Sequence, residues 1–322
     1  MYSQEIYKKA ERILKKRQDN AQLELEMRTD EIKAKLPEIA EIQIKLSRIG
    51  LEISKIFFYK GNADEKIKEL KAQSEALVAQ RKKILSANGY SENAMSIEHI
   101  CPACEDRGFI NGRLCACHRQ LLKDIMKEEI RRLAPIDSCT FDSFELAYYS
   151  DSPMENAIVP RERAKKIFEA CRRYAQNFST DAKNLFFVGG TGLGKTHLSL
   201  AIANVVINRG YSVCYGTAQN ICDDLQSEQF GRGDDAYYSK RQVLDCDLLI
   251  LDDLGTEISN QYSLATLYNI INTRILSKKP TVISTNFSLK KLEQRYDQRI
   301  TSRINGEYIT FNIFGNDIRN IK

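Results

Sequence analysis

The sequence Gly189-Gly-Thr-Gly-Leu-Gly-Lys195-Thr196 decides the fold of this chain, because it matches the pattern GxxxxGK[ST] at every fixed position. An apolar run, Leu185-Phe-Phe-Val188, precedes it, and residues 197–209 continue without glycine or proline. Such glycines let backbone N–H groups turn toward phosphates, while the lysine reaches the β and γ phosphates and the hydroxyl binds Mg²⁺. The pattern therefore predicts a strand, a phosphate-binding loop and a helix. The predicted nucleotide-binding residues are Gly189, Gly190, Thr191, Gly192, Leu193, Gly194, Lys195, Thr196 and His197.

A second apolar run ends in two carboxylates, Leu248-Leu-Ile-Leu251-Asp252-Asp253. Strands of a parallel sheet carry ligand-binding groups at their carboxyl ends, so Asp252 is predicted to bind Mg²⁺ together with Thr196. Asp253 is predicted to orient and polarise the attacking water, with Glu257 as an alternative. The competing interpretation is that both aspartates only cap the following helix.

Two further segments complete the predicted catalytic residues. The run Thr281-Val-Ile-Ser-Thr285 predicts a strand, and Asn286 at its end is placed to contact the γ-phosphate or the lytic water. In Arg299-Ile-Thr-Ser-Arg303 the two arginines share one helical face. Arg303 is predicted to reach a γ-phosphate held by a neighbouring subunit, and the alternative is a solvated surface residue. The candidate catalytic residues are Lys195, Asp252, Asp253, Asn286 and Arg303.

Four cysteines lie close together at metal-ligand spacing, in Cys101-Pro-Ala-Cys104 and Cys115-Ala-Cys117-His118. Gly108 and Asn111-Gly112 between the pairs favour a tight hairpin, and two facing pairs provide the tetrahedral ligands of a structural zinc site. His118 is a rival fourth ligand, and four unliganded thiols are the remaining alternative. The predicted zinc ligands are Cys101, Cys104, Cys115 and Cys117.

The N-terminal third has the composition of long helices, with a first helix ending near Leu36 and a helical hairpin after it. The apolar stripes of the hairpin either bury one another or leave a face for a partner. Apolar residues recur every three or four positions at Ile39, Ile42, Leu46, Ile49, Ile53 and Ile56, and at Ile67, Leu70, Leu77 and Ile84. The predicted segments are a helical partner-binding region (1–98), a zinc knuckle with a following helix (99–134), a linker with a lead-in helix (135–182) and an ATPase domain (183–322).

Composition narrows the class of protein further. The chain has 322 residues, a formal net charge of +5 and 43% hydrophobic residues, which is ordinary for a globular protein of two or three domains. No run of 18 apolar residues and no signal-like N-terminus occur. Nine cysteines, an odd number with four at metal-ligand spacing, favour thiols over disulfides. We therefore expect a cytoplasmic protein.

The ordered motifs GGTGLGKTH, LLILDDLGTE, ISTN and RITSR together resemble the AAA+ ATPases of the DnaC, DnaI and IstB group over about residues 140–322. This resemblance implies a P-loop (ASCE) α/β fold, a parallel sheet with helices on both faces. It also implies ATP/ADP and Mg²⁺ as ligands, an ATP-dependent homo-oligomer and contact with single-stranded DNA. By the same resemblance Asn286 is sensor 1 and Arg303 is the arginine finger.

The zinc knuckle behind a helical N-terminus resembles DnaI-like helicase loaders, whose N-terminal region grips the replicative hexameric helicase. The resemblance thus implies an ATP-dependent loader of that helicase in DNA replication. The main alternative is an IstB-like transposition helper ATPase, a group that, as far as the resemblance goes, lacks the knuckle. A small-molecule kinase and an ATP-sensing adaptor are further alternatives. No helical lid is expected after a last strand at residues 308–313, and Arg319 is a candidate for phosphate contact.

Overall fold

Three long helices form the N-terminal part of the protein, and a computed structural model describes residues 2–58, 64–154, 157–230, 238–296 and 298–320. The helices are α1 (Gln4–Lys35), α2 (Pro37–Phe58) and α3 (Asp64–Ala87). Proline is accepted in the first turn of a helix but disfavours a helical residue before it, which explains the break between α1 and α2. Ile32, Ile39 and Leu85 are fully buried together where the three helices meet. The predicted first helix and helical hairpin are thus present.

A short antiparallel hairpin follows, formed by β1 (Phe109–Ile110) and β2 (Arg113–Leu114). Asn111 and Gly112 occupy its turn with φ of 50° and 74°, as a two-residue hairpin turn requires. The hairpin brings the chain on either side of it back together, as the cysteine spacing predicts.

The described residues fall into two compact units, Glu11–Cys117 and Met1–Ala10 with His118–Lys322. The second unit holds most of α4 (Ala116–Arg131), a 3₁₀ turn at Leu146–Tyr148 and α5 (Pro160–Gln176). Within the described part of the chain, no helix has both the length and the apolar character needed to cross a membrane.

The second unit is built on a five-stranded parallel sheet in the order β4-β5-β6-β3-β7. This arrangement confirms the predicted α/β fold with helices on both sides of a parallel sheet. Its elements are β3 (Asn184–Val188), α6 (Lys195–Asn208), β4 (Val213–Thr217), α7 (Ala218–Gln229), α8 (Lys240–Asp245), β5 (Leu248–Asp252), α9 (Gln261–Leu276), β6 (Thr281–Thr285), α10 (Leu289–Arg295), α11 (Gln298–Glu307) and β7 (Tyr308–Asn312).

The central strands β3, β5 and β6 are buried along almost their whole length, which is why β3 and β5 contain apolar runs in the sequence. Their register places Val188 opposite Thr285, and Thr217 of the edge strand opposite Asp252. Because all strands are parallel, the residues that follow Val188, Asp252 and Thr285 emerge at one edge of the sheet. The candidate site is assembled at this edge.

A buried arginine, Arg274, joins the segments that precede β5 and β6. Arg274 of α9 has no exposed surface, and its Nε donates to Thr281 Oγ1 at 3.0 Å. Its Nη2 donates to the carbonyl of Pro280 at 2.7 Å, and Nη1 donates to the carbonyls of Val243 and Cys246 at 2.9 and 3.1 Å. A buried guanidinium needs partners for all its N–H groups, and here it joins the segments that lead into β5 and β6.

Candidate functional site

The phosphate-binding loop, residues 189–196, connects β3 to α6. Gly192 and Gly194 have φ of 71° and 79°, in the left-handed region that favours glycine. A Cβ on Gly189 would lie 2.5 Å from the carbonyl oxygen of Ile313, so a side chain there would displace backbone. The fixed glycines of the pattern are therefore explained by backbone conformation and close approach.

Lys195 lies at the centre of the site. Its Nζ donates to the carbonyls of Gly189 and Gly190 at 2.8 and 2.6 Å, and to Asn286 Oδ1 at 2.6 Å. Burial lowers the pKa of Lys195, while the carboxylate of Asp253 opposes this change most strongly. The ammonium is thus held between the loop and the carboxyl end of the sheet.

Asp252 is buried and accepts hydrogen bonds from three side chains. Thr196 Oγ1 and the Tyr215 hydroxyl donate to its Oδ2 at 2.8 and 2.9 Å, and Ser284 Oγ donates to its Oδ1. The structure therefore places the two predicted Mg²⁺ ligands, Thr196 and Asp252, in contact. Tyr215 and Ser284 were not predicted, because they reach Asp252 from neighbouring strands that are distant from it in the sequence.

Asp253 and Asn286 link the carboxyl ends of β5 and β6. Asn286 Nδ2 donates to Asp253 Oδ1 at 3.1 Å, and the backbone N–H of Asp253 donates to Ser284 Oγ at 3.0 Å. Asp253 has a φ of 53°, a strained conformation for a non-glycine residue that is often retained at functional sites. Burial, and secondly the Asp252 carboxylate, raise the pKa of Asp253.

Glu257, the alternative to Asp253, is engaged elsewhere. Its Oε2 accepts the N–H of Gly255 at 2.9 Å, and its Oε1 accepts the hydroxyl of Tyr296 and lies 3.6 Å from Arg295 Nε. These contacts attach the segment after β5 to the end of α10. They favour Asp253 over Glu257 as the candidate base.

Arg303 lies against α9. Its Nε donates to Asn272 Oδ1 at 2.6 Å, and its guanidinium stacks over the Tyr268 ring at 4.9 Å. Arg299 approaches the same ring at 5.6 Å. The hydrogen bonds at the sheet edge therefore join four of the five candidate catalytic residues, while Arg303 is held by residues of α9.

The segment before α5 packs against the loop, although the sequence predicted only a linker there. The Tyr149 hydroxyl donates to the carbonyl of Leu193 at 2.9 Å, and His197 Nε2 lies 2.8 Å from the carbonyl oxygen of Thr140. The Phe144 ring lies 5.3 Å from the His197 ring. The segment before α5 therefore packs against one side of the phosphate-binding loop.

The four cysteines Cys101, Cys104, Cys115 and Cys117 lie together, and their sulfurs are all within 4.8 Å of one another. Cys101 Sγ is 3.8 Å from Cys115 Sγ, and Cys104 Sγ is 3.4 Å from Cys117 Sγ. Sulfurs at about 2.3 Å from a tetrahedral Zn²⁺ would be about 3.8 Å apart, so the four-thiol set fits zinc.

Asp106 supports the first cysteine pair. It is fully buried, and its two carboxylate oxygens accept the N–H groups of Ile100 and Cys101 at 2.9 and 3.0 Å. Such outer contacts orient metal ligands. His118, the rival ligand, is buried in the other unit with its ring 6.2 Å from the Tyr7 ring, and it is outside the cysteine cluster found among the described residues.

The parallel sheet, the glycine-rich loop after β3 and the buried Asp252 carboxylate at the end of β5 together define a P-loop nucleotide-binding fold. Residues 164–305 match the family described as IstB-like ATP-binding protein, and this range includes the loop, Asp252, Asn286 and Arg303. Residues 164–305 are therefore similar to IstB-like ATP-binding proteins.

Curated relatives confirm the resemblance to the DnaC, DnaI and IstB group at modest identity. The replicative helicase loader DnaC of Buchnera aphidicola subsp. Baizongia pistaciae (strain Bp) is 29% identical over 171 residues, 51% of this chain and 68% of that protein. DnaC of Escherichia coli (strain K12) is 26% identical over 167 residues, again 51% of this chain and 68% of the relative. A crystal structure of the DnaC helicase loader is 24% identical with a TM-score of 0.46, covering 56% of this chain and 99% of that one.

Removing the Tyr215 hydroxyl tests whether its hydrogen bond to Asp252 supports the candidate Mg²⁺ site. We expect Tyr215→Phe to weaken Mg²⁺-dependent nucleotide binding by about tenfold, because loss of an outer hydrogen bond commonly costs a metal site about that much. Titrating Mg²⁺ against a fluorescent nucleotide measures the effect. Tyr238→Phe is the matched control, because that hydroxyl donates to the carbonyl of Tyr215 instead of to Asp252. Equal affinities for the two variants would contradict the expectation.

Zinc stoichiometry distinguishes the two candidate fourth ligands. We expect about one zinc ion per purified chain, loss of it in Cys117→Ser, and full retention in His118→Asn, because only the cysteine joins the four-sulfur cluster. Atomic absorption after gel filtration measures the metal content. Zinc loss in the histidine variant with retention in the cysteine variant would make His118 the ligand.

Proposed function

We propose that this protein is an ATPase that loads a replicative DNA helicase onto single-stranded DNA. One observation carries the proposal: Lys195, Asn286 and Asp253 form a connected hydrogen-bonded site in a domain related to proteins named replicative helicase loaders. The site supports ATP turnover, and the relatives suggest the process that turnover serves.

The chemistry follows from the positions of the side chains. Thr196 and Asp252 would hold Mg²⁺, which neutralises charge on the transferred phosphoryl group when bound. The loop and Lys195 would bind the phosphates. Asp253 would polarise water, and its raised pKa makes it a stronger base than an ordinary carboxylate. Asn286 fixes the relative positions of Asp253 and Lys195 through its two hydrogen bonds.

Arg303 would complete the site of a neighbouring subunit, which makes the active unit a homo-oligomer. The support is its place on α11: a half-exposed guanidinium pre-positioned by Asn272 and the Tyr268 ring. Holding a guanidinium in place reduces the entropy lost when it binds a phosphate.

The N-terminal unit would bind the hexameric helicase. It exposes large apolar side chains on two of its helices, and a zinc-bound knuckle would give it a rigid hairpin. The exposed side chains are Leu23 and Met27 on α1 and Ile44 and Leu51 on α2. Exposed apolar residues of this size favour a partner over a purely self-burying helical stripe.

An IstB-like transposition helper ATPase is the second candidate function. The observation that favours it is the family description matched by residues 164–305. Such a protein would use the same nucleotide site but would not need to bind a helicase through the N-terminal unit.

Mixing two inactive variants tests whether Arg303 acts across a subunit interface. We expect Lys195→Ala and Arg303→Ala each to abolish ATP turnover. An equal mixture should recover about a quarter of the wild-type rate, because about one interface in four then joins a subunit that retains Lys195 to a neighbour that retains Arg303. Phosphate release measures turnover. Arg172→Ala, on the exposed face of α5, is the control and should remain active. No recovery on mixing, with both variants still folded and oligomeric, would contradict action in trans.

Binding to the helicase tests the loader proposal. We expect the full chain to form a complex with the replicative helicase of its own host, seen by light scattering on a sizing column with ATP and Mg²⁺. Ile44→Lys combined with Leu51→Lys should weaken it at least about tenfold, because charges would replace apolar contacts. The control, Leu276→Lys, changes an even more exposed leucine on α9. If the wild-type chain forms no complex under any nucleotide condition, the transposition helper becomes the better proposal.

A further inference from the structure

The segment after β7, residues 313–319, lies on the phosphate-binding loop, and we name it the C-terminal strap. The N–H of Ile313 donates to the carbonyl of Val188 at 2.8 Å, which extends the pairing of β7 with β3. Five residues later, the N–H of Ile318 donates to the carbonyl of Gly192 at 3.1 Å. The strap is therefore bonded both before the loop and in its middle.

Asp317 brings a carboxylate directly against the loop. A Cβ on Gly192 would lie 1.7 Å from Asp317 Oδ1 and 2.2 Å from its Cγ, so the carboxylate occupies space that only glycine leaves open. The N–H groups of such a loop are the groups that cradle phosphates. A negative charge at this position competes electrostatically with a phosphate.

Arg319 balances this charge. Its backbone N–H donates to Asp317 Oδ1 at 3.0 Å, and its Nε lies 3.5 Å from the same oxygen. The Arg319 side chain is 68% exposed and that of Asp317 32% exposed, so both can exchange partners. Arg319 also acts on the pKa of Lys195, which burial lowers most and Arg319 lowers further, and on the pKa of Asp253. The pair is thus within electrostatic range of the central charges of the site.

We infer that the C-terminal strap senses the charge of the bound nucleotide: phosphate oxygens compete with Asp317 for the guanidinium of Arg319, while Asp317 disfavours a highly charged phosphate group. A triphosphate, with one more phosphate than a diphosphate, draws Arg319 more strongly and is opposed more strongly by Asp317. The two residues therefore set the relative affinities for ATP and ADP. The inference rests on nucleotide binding by the loop, as proposed above, and is independent of helicase loading.

Removing the negative charge of Asp317 and removing the positive charge of Arg319 should shift nucleotide affinity in opposite directions. We expect Asp317→Asn to tighten binding of a non-hydrolysable ATP analogue by about twofold to fivefold, and Arg319→Gln to weaken it by a similar factor, the range expected for partly exposed charges. Both changes should be smaller for ADP. Fluorescent analogues of the two nucleotides, titrated into the full chain with Mg²⁺, give the dissociation constants without reliance on turnover.

Matched controls separate this effect from general surface charge. Glu307→Gln at the end of α11 and Arg172→Gln on α5 remove exposed charges away from the strap and should leave both constants unchanged. Unchanged or same-direction shifts in the two strap variants would overturn the inference while leaving the nucleotide site intact. If the wild-type chain binds neither nucleotide, the proposed ATPase function fails and this inference fails with it.

Hydrogen exchange tests whether the strap stays in place. The N–H of Ile318 bonds to the Gly192 carbonyl and not to the Asp317 carboxylate, so it should remain protected in both strap variants without nucleotide. Protection lost in Asp317→Asn would attribute the affinity gain to an opened strap and overturn the charge mechanism.

Discussion

The hydrogen bond between Lys195 and Asn286 is the interaction on which the geometry of the site depends. It joins the loop after β3 to the end of β6, and through the other side of the same amide it reaches Asp253 after β5. One ammonium and two carboxylates are gathered at a largely buried edge, which would be costly without partners. Their charges sum to about −1, so a divalent cation is favoured at Asp252, in keeping with Mg²⁺ chemistry.

The buried strands were predictable because burial on both faces leaves a direct trace in sequence. Leu248-Leu-Ile-Leu251 has no polar residue until the strand ends, and this is where the chemistry begins. The edge strand β4 was not predicted, because Val213-Cys-Tyr-Gly-Thr217 mixes a glycine with half-buried positions and gives neither an apolar run nor an alternation. Its place beside β5 is a result of tertiary packing.

The same distinction applies to the site. The loop and the aspartates follow their strands directly in sequence, so their meeting at one edge is a consequence of parallel topology. Tyr215, Ser284 and Asp317 act through contacts between strands or across more than 100 residues, for which spacing along the chain carries no signal. Sequence spacing likewise could not decide whether Cys117 or His118 is the fourth zinc ligand. The two residues are adjacent, and only the backbone conformation determines which side chain reaches the cluster.

Two distant segments hold neighbouring residues of the same loop. Tyr149, before α5, donates to the carbonyl of Leu193, and Ile318, after β7, donates to the carbonyl of Gly192. Any phosphate that shifts this loop changes the free energy of both contacts, and by reciprocity a partner that moves either segment changes nucleotide affinity by the same factor. A loop held only by its own helix would lack this coupling. Because a Cβ on Gly192 would meet Asp317 and one on Gly194 would meet Phe144, the loop packs closely against both segments, and a movement of the loop must displace these side chains.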